Sequence, residues 1–327
     1  MYVTPKRIFV GGTGRSGTSI MNYLIGTHPE VYAIPTETRF IIDSHGLKDL
    51  VDALTVSYSF TRARDVAREF DHFLRRQLTD SFSERWGAHC VEQYVDLPVY
   101  LRELDEFVSK FRGAQFVRSI PPLGVNFYHP SQKSSILWTL PAYFPDRGEL
   151  TAHAARFVDN VFMAATKKAG KKTWCEKTPH NILDIDFLYE LFPDCAFIHI
   201  KRDPRGVAYS LMRMPWAPDK VEDVCEYILK PVYRRWFHLR SKVDLKSNYY
   251  MEIKLEEIAS GREAWDEWFG VIAEAIGVDK SGYPYPSGGG VNLSIDQVNN
   301  WENSLEPKAR SYMEKELGEY ITAMGYS

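Results

Sequence analysis

The stretch Ile8-Phe9-Val10-Gly11-Gly12-Thr13-Gly14-Arg15-Ser16-Gly17-Thr18-Ser19 contains the transition that decides the fold. Its first three residues are apolar and predict a buried strand, which runs into a glycine-rich turn. Apolar residues then recur at helical spacing from about Gly17, which predicts a helix. A strand, a glycine loop and a helix N-terminus together favour a bound phosphate, because backbone N–H groups and the helix dipole both attract an anion. The alternative is a purely structural turn, since short glycine motifs also arise by chance.

The loop is similar to a nucleotide-binding P-loop, G-x-x-x-x-G-K-[ST], but it lacks the lysine of that pattern. Gly12 and Gly17 have the required spacing, whereas Thr18 occupies the lysine position and Arg15 supplies the positive charge. In kinases and ATPases the lysine contacts the β- and γ-phosphates. We therefore expect an anion-binding loop whose ligand is not a triphosphate.

A second candidate for anion binding follows another predicted strand, residues 195–202. This segment is short, apolar and β-branched, as in a buried parallel strand. It ends at Arg202, and Pro204 then suits the first position of a helix. Ligands of α/β sheets bind at the carboxyl ends of strands, so Arg202 is a candidate ligand residue. The structural alternative is a salt bridge from Arg202 to Asp203 or Glu176.

Four segments together resemble the PAPS-dependent sulfotransferases, specifically the bacterial and glycan-type branch. They are Arg15-Ser16-Gly17-Thr18-Ser19, Trp174-Cys175-Glu176-Lys177-Thr178-Pro179-His180, Arg202-Asp203-Pro204-Arg205 with Ser210, and Leu255-Glu256-Glu257-Ile258. They correspond to the family's [KR]-x-G-T-x loop, its E-K-[ST]-P strand end, its R-D-P-R segment with a serine eight residues after the first arginine, and its Y-E-D-L. Each motif is short, but four of them in family order over residues 7–258 are difficult to explain by chance.

The resemblance implies a nucleotide donor and its binding residues. PAPS (3′-phosphoadenosine 5′-phosphosulfate) is the expected donor, PAP is the expected product, and no metal is expected. The first loop would bind the 5′-phosphosulfate, and Arg202 with Ser210 the 3′-phosphate. The expected nucleotide-binding residues are Gly14, Arg15, Ser16, Gly17, Thr18, Ser19, Arg202 and Ser210. The family also closes a loop over the 3′-phosphate with an arginine or lysine, but residues 282–295 contain neither here.

Sulfuryl transfer requires a base for the acceptor hydroxyl and positive charge near the sulfuryl and leaving-group oxygens. Glu37 follows the second predicted strand and is similar in position to the glutamate base of glycan-type sulfotransferases, so we predict that it is the base. Lys177 and Arg15 are predicted to stabilise the leaving group, and His180 is the second candidate for the base. The structural alternatives are a surface glutamate in the first turn of a helix, a solvated strand end for Lys177 and a helix cap for His180.

Strands and helices alternate along the chain, which favours an α/β fold with a central parallel sheet between two helical layers. The predicted strands are 7–12, 31–35, 172–177, 195–202 and 248–256, and the predicted helices include 17–26, 64–80, 149–168, 181–191, 205–214, 221–243 and 305–323. The resemblance implies the same three-layer fold, related to nucleotide kinases, as a single domain over residues 1–327.

Residues 60–150 are predicted to be an insertion that covers the acceptor pocket. Residues 84–148 are rich in proline and aromatic residues and interrupt the alternation of strands and helices. The aromatic content argues against disorder, and a purely structural insertion is the alternative.

Composition narrows the class of protein. A net charge of −3 argues against a nucleic-acid or other polyanion binder. The four cysteines lack C-x-x-C spacing, which argues against a disulfide framework or a zinc site. The chain shows no charged-then-apolar leader and no apolar run near the roughly 18 residues of a membrane span, so a cytoplasmic enzyme is expected. The expected partner is a small-molecule or glycan acceptor, and the oligomeric state stays open, a homodimer included.

Two other functions are consistent with parts of this sequence. An atypical P-loop kinase would require Mg²⁺ and a lysine for the γ-phosphate, and Thr18 argues against it. A non-catalytic nucleotide-binding protein would keep the fold without the reaction. The presence of Glu37 and Lys177 beside Arg15 and Arg202 argues against that second alternative.

Overall fold

A computed structural model describes residues 6–76, 91–120, 134–243, 245, 249–285 and 293–327, apart from the side chains of 117–120 and 134–138. The chain divides into two compact units. Unit 1 comprises Met1–Thr38 and Phe162–Ser327, and unit 2 comprises Arg39–Val161. The predicted insertion, residues 60–150, falls within unit 2.

The described strands are β1 Ile8–Gly12, β2 Val31–Ala33, β3 Arg112–Ile120, β4 Ser134–Pro141, β5 Thr173–Lys177, β6 Ala196–Lys201 and β7 Tyr249–Lys254. The α-helices are α1 Thr18–Gly26, α2 Leu47–Leu54, α3 Phe60–Arg76, α4 Leu97–Phe111, α5 Arg147–Lys168, α6 Ile185–Leu191, α7 Pro204–Met212, α8 Val221–Asp223, α9 Lys230–Arg240, α10 Leu255–Ala259, α11 Arg262–Ile276, α12 Ile295–Val298, α13 Trp301–Ser304 and α14 Pro307–Ala323. Short 3₁₀ turns cover Val91–Gln93, Pro179–Asp184 and Lys280–Gly282, and a π-helix covers Val224–Leu229.

Unit 1 contains a parallel five-stranded sheet in the order β2-β5-β1-β6-β7. The five strands are those that the sequence predicts, and the predicted α/β fold with a central parallel sheet flanked by helices is confirmed. β2 is two residues shorter than predicted. The Ile34 N–H still donates to the Cys175 carbonyl at 2.8 Å, but Pro35 has no N–H with which to continue the ladder.

The sheet is buried on both faces, as its apolar strands require. Ile8, Val10 and Ile198 lie in a core cluster that also contains residues of α1 and α11. The opposite face is aromatic, with the rings of Phe9 and Trp174 5.3 Å apart in an edge-on arrangement. Burying a side chain of this size contributes about 1.5–3 kcal/mol, so the cores on the two faces hold the strand order in place.

The strand order brings the predicted motifs to one edge. β1 is central, with β5 on one side and β6 on the other. The ends of these three strands and the segments that follow them carry the glycine loop, Lys177-Thr178 and Arg202. All of them lie at the edge formed by the carboxyl ends of the strands. Such a switch in strand order opens a crevice at this edge in α/β sheets. We call it the carboxyl edge.

The predicted helix 221–243 is interrupted by π-helical geometry. The Lys230 N–H donates to the Cys225 carbonyl, five residues back. Pro231 follows and has no N–H for the carbonyl of the preceding turn, so an α-helical register there would lose a hydrogen bond and crowd the proline ring. The wider π-turn accommodates the proline, and the helix then continues as α9 to Arg240.

Unit 2 is built around aromatic side chains. Phe70, Phe107 and Phe157 form its core, and the rings of Phe107 and Phe157 are stacked at 5.2 Å. The Tyr100 hydroxyl is fully buried and donates to the Leu74 carbonyl at 3.1 Å. Aromatic residues of the predicted insertion therefore include core residues.

The described part of residues 84–148 has regular secondary structure that its sequence pattern did not predict. That part contains helix α4 and the antiparallel hairpin β3–β4, which the prediction treated as irregular. Pro98 occupies the first turn of α4, where proline fits, so its presence is a helix-start signal rather than a loop signal. Trp86, Cys90, Phe127 and Tyr128 lie outside the described residues.

No helix within the described ranges combines the length and the apolar character needed to cross a bilayer. The cysteines that the structure describes, Cys175, Cys195 and Cys225, are buried free thiols.

Candidate active site

The phosphate loop, Thr13–Gly17, connects β1 to α1. Gly17 is the N-cap of α1 and has a φ of 100°, which favours glycine. The Ser16 N–H and hydroxyl both donate to the Thr13 carbonyl, at 3.1 and 2.8 Å. A Cβ on Gly12 would lie 2.4 Å from the Ile200 carbonyl oxygen, so only glycine fits at that point. The loop therefore presents the N-terminus of α1 at the carboxyl edge, where the first N–H groups have no partner within the helix and the dipole is positive.

The two predicted phosphate-binding segments meet in the structure. Arg15 Nε donates to Ser210 Oγ on α7 at 3.1 Å, and Arg202 Nη1 donates to the Arg15 carbonyl at 3.4 Å. Arg202 Nη2 donates to the Val298 carbonyl at 2.6 Å. Arg15, Arg202 and Ser210 thus form one group beside the phosphate loop, although they are far apart in the chain.

The Arg202 guanidinium is buried beside a second positive charge. Burial lowers its pKa and the charge of Arg15 lowers it further, whereas Glu256, Asp203 and Tyr326 act in the opposite direction. Among the described residues, Arg202 Nε is buried and has no hydrogen-bond partner. A bound anion would relieve both conditions, since it supplies an acceptor and an opposite charge.

Within the described residues, Arg202 does not form the alternative salt bridge with Asp203 or Glu176. Asp203 instead caps α7, accepting from the Arg205 N–H at 2.8 Å. It also forms a buried bidentate pair with the Arg205 guanidinium, at 3.0 and 2.7 Å. The two arginines of the R-D-P-R segment therefore differ, because Arg205 is engaged in the fold whereas Arg202 faces the phosphate loop.

The predicted base and the predicted leaving-group lysine are in contact. Lys177 Nζ donates to Glu37 Oε1 at 2.9 Å. The Lys177 side chain is 9% exposed and that of Glu37 is 23% exposed, so the pair is partly sheltered and still reachable from solvent. Lys177 is the last residue of β5 and lies opposite Val10 of β1, at the strand end from which the phosphate loop follows.

A buried carboxylate lies behind this ion pair. Glu176 is completely buried and accepts hydrogen bonds from the Thr38 hydroxyl at 3.0 Å, the Thr178 hydroxyl at 2.8 Å and Asn181 Nδ2 at 2.7 Å. Burial raises the pKa of Glu176, and the hydrogen bonds from Asn181, Thr178 and Thr38 act in the opposite direction. From the sequence, Glu176 was predicted only as an alternative salt-bridge partner of Arg202. The signal that this prediction missed is the spacing Glu-x-Thr-x-x-Asn, which places two local donors, Thr178 and Asn181, near the Glu176 carboxylate.

The other sequence predictions concern His180, the first residues of α1 and the glycine-rich loop that begins at residue 282. His180, the second candidate for the base, lies exposed in the 3₁₀ turn that follows Thr178. Ser19 is exposed in the first turn of α1, whereas Thr18 is buried. The glycine-rich loop from 282 is described only to residue 285, so its closure lies outside the described residues. Across the described ranges, no group of three or more His, Cys, Asp or Glu side chains could hold a metal ion.

Comparison with known proteins gives one family match. The model of the "Sulfotransferase family" matches residues 128–265. That range contains Lys177, Arg202 and Ser210, whereas the phosphate loop and Glu37 lie outside it. The resemblance to sulfotransferases that the motifs indicate is confirmed.

One curated relative and several solved structures are similar to this chain. The nodulation protein NoeE of Sinorhizobium fredii (strain NBRC 101917 / NGR234) is 28% identical over 101 residues, which span 31% of this chain and 24% of NoeE. The sulfotransferase domain of the Synechococcus PCC 7002 olefin synthase is 15% identical, with 95% of this chain and 98% of that domain covered and a TM-score of 0.47. The sulfotransferase domain of the curacin biosynthetic pathway is 14% identical, with 96% and 98% covered and a TM-score of 0.48.

Proposed function

We propose that this protein, a relative of the sulfotransferases over residues 128–265, transfers a sulfuryl group from PAPS to a hydroxyl group, or an amine, of a small-molecule or glycan acceptor. The observation that carries the proposal is the Glu37–Lys177 pair at the carboxyl edge. The phosphate loop and Arg202 lie at the same edge of the sheet. A base, a flexible cation and an anion-binding group are the three parts that the chemistry requires.

The described residues fit an anionic nucleotide. The phosphate loop offers N–H groups at the start of α1, and Arg202 has a buried guanidinium nitrogen without a partner in the described part of the chain. Arg15 and Ser210 add donors next to it. In the proposal, Gly14 to Ser19 hold the 5′-phosphosulfate, and Arg202 with Ser210 hold the 3′-phosphate.

PAPS would supply the sulfuryl group and a phosphate leaving group. Glu37 would accept the proton of the acceptor hydroxyl as the acceptor oxygen bonds to sulfur. The bond between sulfur and the phosphate oxygen would break with its electron pair remaining on that oxygen. Lys177 and Arg15 would stabilise the negative charge that develops there, and the mobile ammonium of lysine suits oxygens that change position. A general base contributes about 10²- to 10⁴-fold to such a reaction.

Calorimetric titration with PAP, without added metal, tests the nucleotide site. We expect PAP to bind, ATP to bind more weakly, and Arg202→Ala to weaken PAP binding roughly 10- to 100-fold, because hydrogen bonds to charged groups contribute about 1.5–3 kcal/mol each. The matched control is Arg262→Ala, since Arg262 lies on α11 with its side chain 76% exposed. Loss of that side chain should leave PAP binding unchanged.

Absence of PAP binding by the wild-type protein would overturn the proposal. Magnesium-dependent ATP turnover would instead support the atypical kinase. If PAP binds as expected, turnover of PAPS with panels of phenols, amines and glycans identifies the acceptor class.

A further inference from the structure

We infer that Glu176 is a positioning residue that fixes the positions of Glu37 and Lys177 relative to each other. The inference rests on the proposed function, because it concerns the base and the lysine of that reaction. It goes beyond the proposal by assigning a role to a buried carboxylate that does not itself face an acceptor.

Glu176 is connected to the base through Thr38. Thr38 directly follows Glu37, and both its hydroxyl and its N–H approach Glu176 Oε1, at 3.0 and 3.5 Å. Thr38 is 3% exposed. The backbone immediately after Glu37 is therefore attached to strand β5 through a side chain rather than through the strand ladder, because β2 ends at Ala33.

Glu176 is connected to the lysine through Thr178. Thr178 directly follows Lys177, and its hydroxyl donates to the same oxygen, Glu176 Oε1, at 2.8 Å. One carboxylate oxygen thus receives donors from the residue after the base and from the residue after the lysine. Any displacement of this oxygen would shift the two neighbours relative to each other.

The Glu176 carboxylate is itself held in place by Asn181. Its other oxygen, Oε2, accepts from Asn181 Nδ2 at 2.7 Å, and the same amide donates to the Val10 carbonyl at 3.2 Å. Val10 belongs to β1, two residues before the strand ends at Gly12. Glu176 is thereby tied to the central strand that leads into the phosphate loop.

The structural alternative is that Glu176 is buried only as an acceptor for the hydrogen bonds of its neighbours and has no role in the reaction. Burying a carboxylate costs free energy unless it is well hydrogen-bonded, and the donors described here are all neutral. Apolar side chains in place of both the carboxylate and its donors would fill the same space without burying a charge. Two of these donors, however, directly follow Glu37 and Lys177 in the chain. The carboxylate can therefore position the pair, which packing alone does not require.

Glu176→Gln is the first test, because it preserves shape. The new carbonyl can still accept from Thr38 and Thr178, but the new NH₂ faces the NH₂ of Asn181. We expect kcat for sulfuryl transfer to fall about 10- to 100-fold, as a misplacement near 1 Å can cost about 10²-fold, with PAP affinity within twofold of wild type. In the Glu37→Gln background the same substitution should have a smaller further effect on kcat, because only the part that acts through Lys177 remains.

Two single-hydroxyl variants keep the inference testable if Glu176→Gln does not fold. Thr38→Val and Thr178→Val each remove one donor, and each should lower kcat while leaving PAP affinity intact. The matched control is Thr173→Val at the opposite end of the same strand, whose hydroxyl donates to the Lys6 carbonyl at 2.7 Å. It removes a hydroxyl from β5 without touching the carboxyl edge and should leave kcat unchanged.

A second readout does not depend on activity. The interaction between Glu37 and Lys177 is measured by urea denaturation of Glu37→Gln, Lys177→Met and the double variant, with and without Glu176→Gln. We expect the coupling to shrink by at least half when Glu176 is replaced. Unchanged coupling, or equal losses of kcat with and without Glu37, would overturn the inference. A wild type that neither binds PAP nor transfers a sulfuryl group would contradict the proposed function instead, while the coupling would still test the role of Glu176.

Discussion

At the scale of single residues, the site depends on which charges are engaged in the fold and which are presented to a ligand. Arg205 and Arg202 lie three positions apart, yet Arg205 forms a buried pair with Asp203, whereas Arg202 points to the phosphate loop. Glu176 and Lys177 are adjacent, yet one is sealed in a network of neutral donors and the other contacts Glu37. Side chains alternate in direction along a strand, so neighbouring residues at a strand end can serve opposite purposes.

The role of Glu37 can be tested by removing its charge alone. Glu37→Gln keeps the side-chain shape and a hydrogen-bond acceptor for Lys177 but cannot accept a proton at neutral pH. We expect kcat for sulfuryl transfer to fall by about 10²- to 10⁴-fold. PAP affinity, measured by calorimetry, should change little, because Arg15, Arg202 and Ser210 are untouched. A variant that keeps wild-type kcat would exclude Glu37 as the base, and the parallel variant His180→Gln would then be the next to measure.

At the scale of secondary-structure elements, the phosphate loop and the outer strands set the conditions for the site. The loop contains two left-handed residues between β1 and α1, Arg15 and Gly17, and glycine adopts this conformation most readily. Strand β7 carries no residue of the predicted site, but it leads into α10, where Glu256 accepts from the Asp203 N–H at 2.9 Å. The short helix after the last strand thus supports the segment that carries Arg202.

Gly17→Ala should destabilise the start of α1. A side chain at a φ of 100° is strained, and its Cβ would lie 2.8 Å from the Leu255 methyl groups. Backbone strain of this type costs about 1–3 kcal/mol, so the midpoint of urea denaturation should fall. Gly14→Ala is the matched control, since no atom lies within 4 Å of its Cβ position. Equal midpoints for the two variants would contradict this account of the loop.

The pairing of β6 with β7 predicts a pH dependence of stability. His199 is buried, its Nδ1 lies 2.8 Å from the Tyr250 hydroxyl, and burial lowers its pKa below the ordinary value of 6.5. The folded chain therefore binds this proton more weakly than the unfolded chain. The stability associated with neutral His199 is complete above pH 6.5 and declines as the pH falls below it.

His199→Gln tests this dependence, because its amide can still donate to the Tyr250 hydroxyl. Urea denaturation between pH 7.5 and about pH 5 should show a smaller loss of stability in the variant than in the wild type. Parallel curves for the two proteins would mean that His199 does not contribute to the dependence.

At the scale of the whole molecule, the C-terminal helix stabilises the segment that carries the candidate nucleotide residues. Arg205 on α7 contacts Glu314 on α14 at 3.2 Å and the Ser327 carbonyl at 2.6 Å, and it lies over the Trp301 ring at 4.8 Å. A separate core cluster joins α7 to α14 through Val207, Leu211, Met313 and Leu317. Residues beyond 300 therefore support a site whose motifs end near residue 258.

Arg205→Ala should destabilise the protein by about 3–5 kcal/mol, because it leaves the buried carboxylate of Asp203 without its partner. The free energy of unfolding in urea measures this loss. Arg262→Ala, which removes an exposed arginine 3.7 Å from Asp266, should cost less than about 1 kcal/mol. If both variants unfold alike, the Asp203–Arg205 pair does not stabilise α7 as described.

Most of unit 1 could be predicted because its signals are local. A run of apolar residues, a glycine turn and the start of a helix follow one another along the chain, and each of the five strands of the sheet was found in this way. Helix α4 and the hairpin β3–β4 could not be recognised, because proline and aromatic residues serve helix starts and cores as well as irregular loops. The π-turn at Val224–Leu229 was missed for a similar reason, since a proline inside a helical pattern does not state how the helix accommodates it.

By itself, the sequence determined the strands of the sheet, the phosphate loop and the types of residue available at the strand ends, because these depend on neighbours along the chain. Only the tertiary structure decided which of those residues meet. Glu37 and Lys177 are 140 positions apart, and Arg15 and Ser210 are 195 apart. Their contacts arise from the order β2-β5-β1-β6-β7, which depends on packing over both faces of the sheet. The same packing buries Glu176 behind the pair, because a side chain's burial is a property of the assembled sheet and not of its place in the chain.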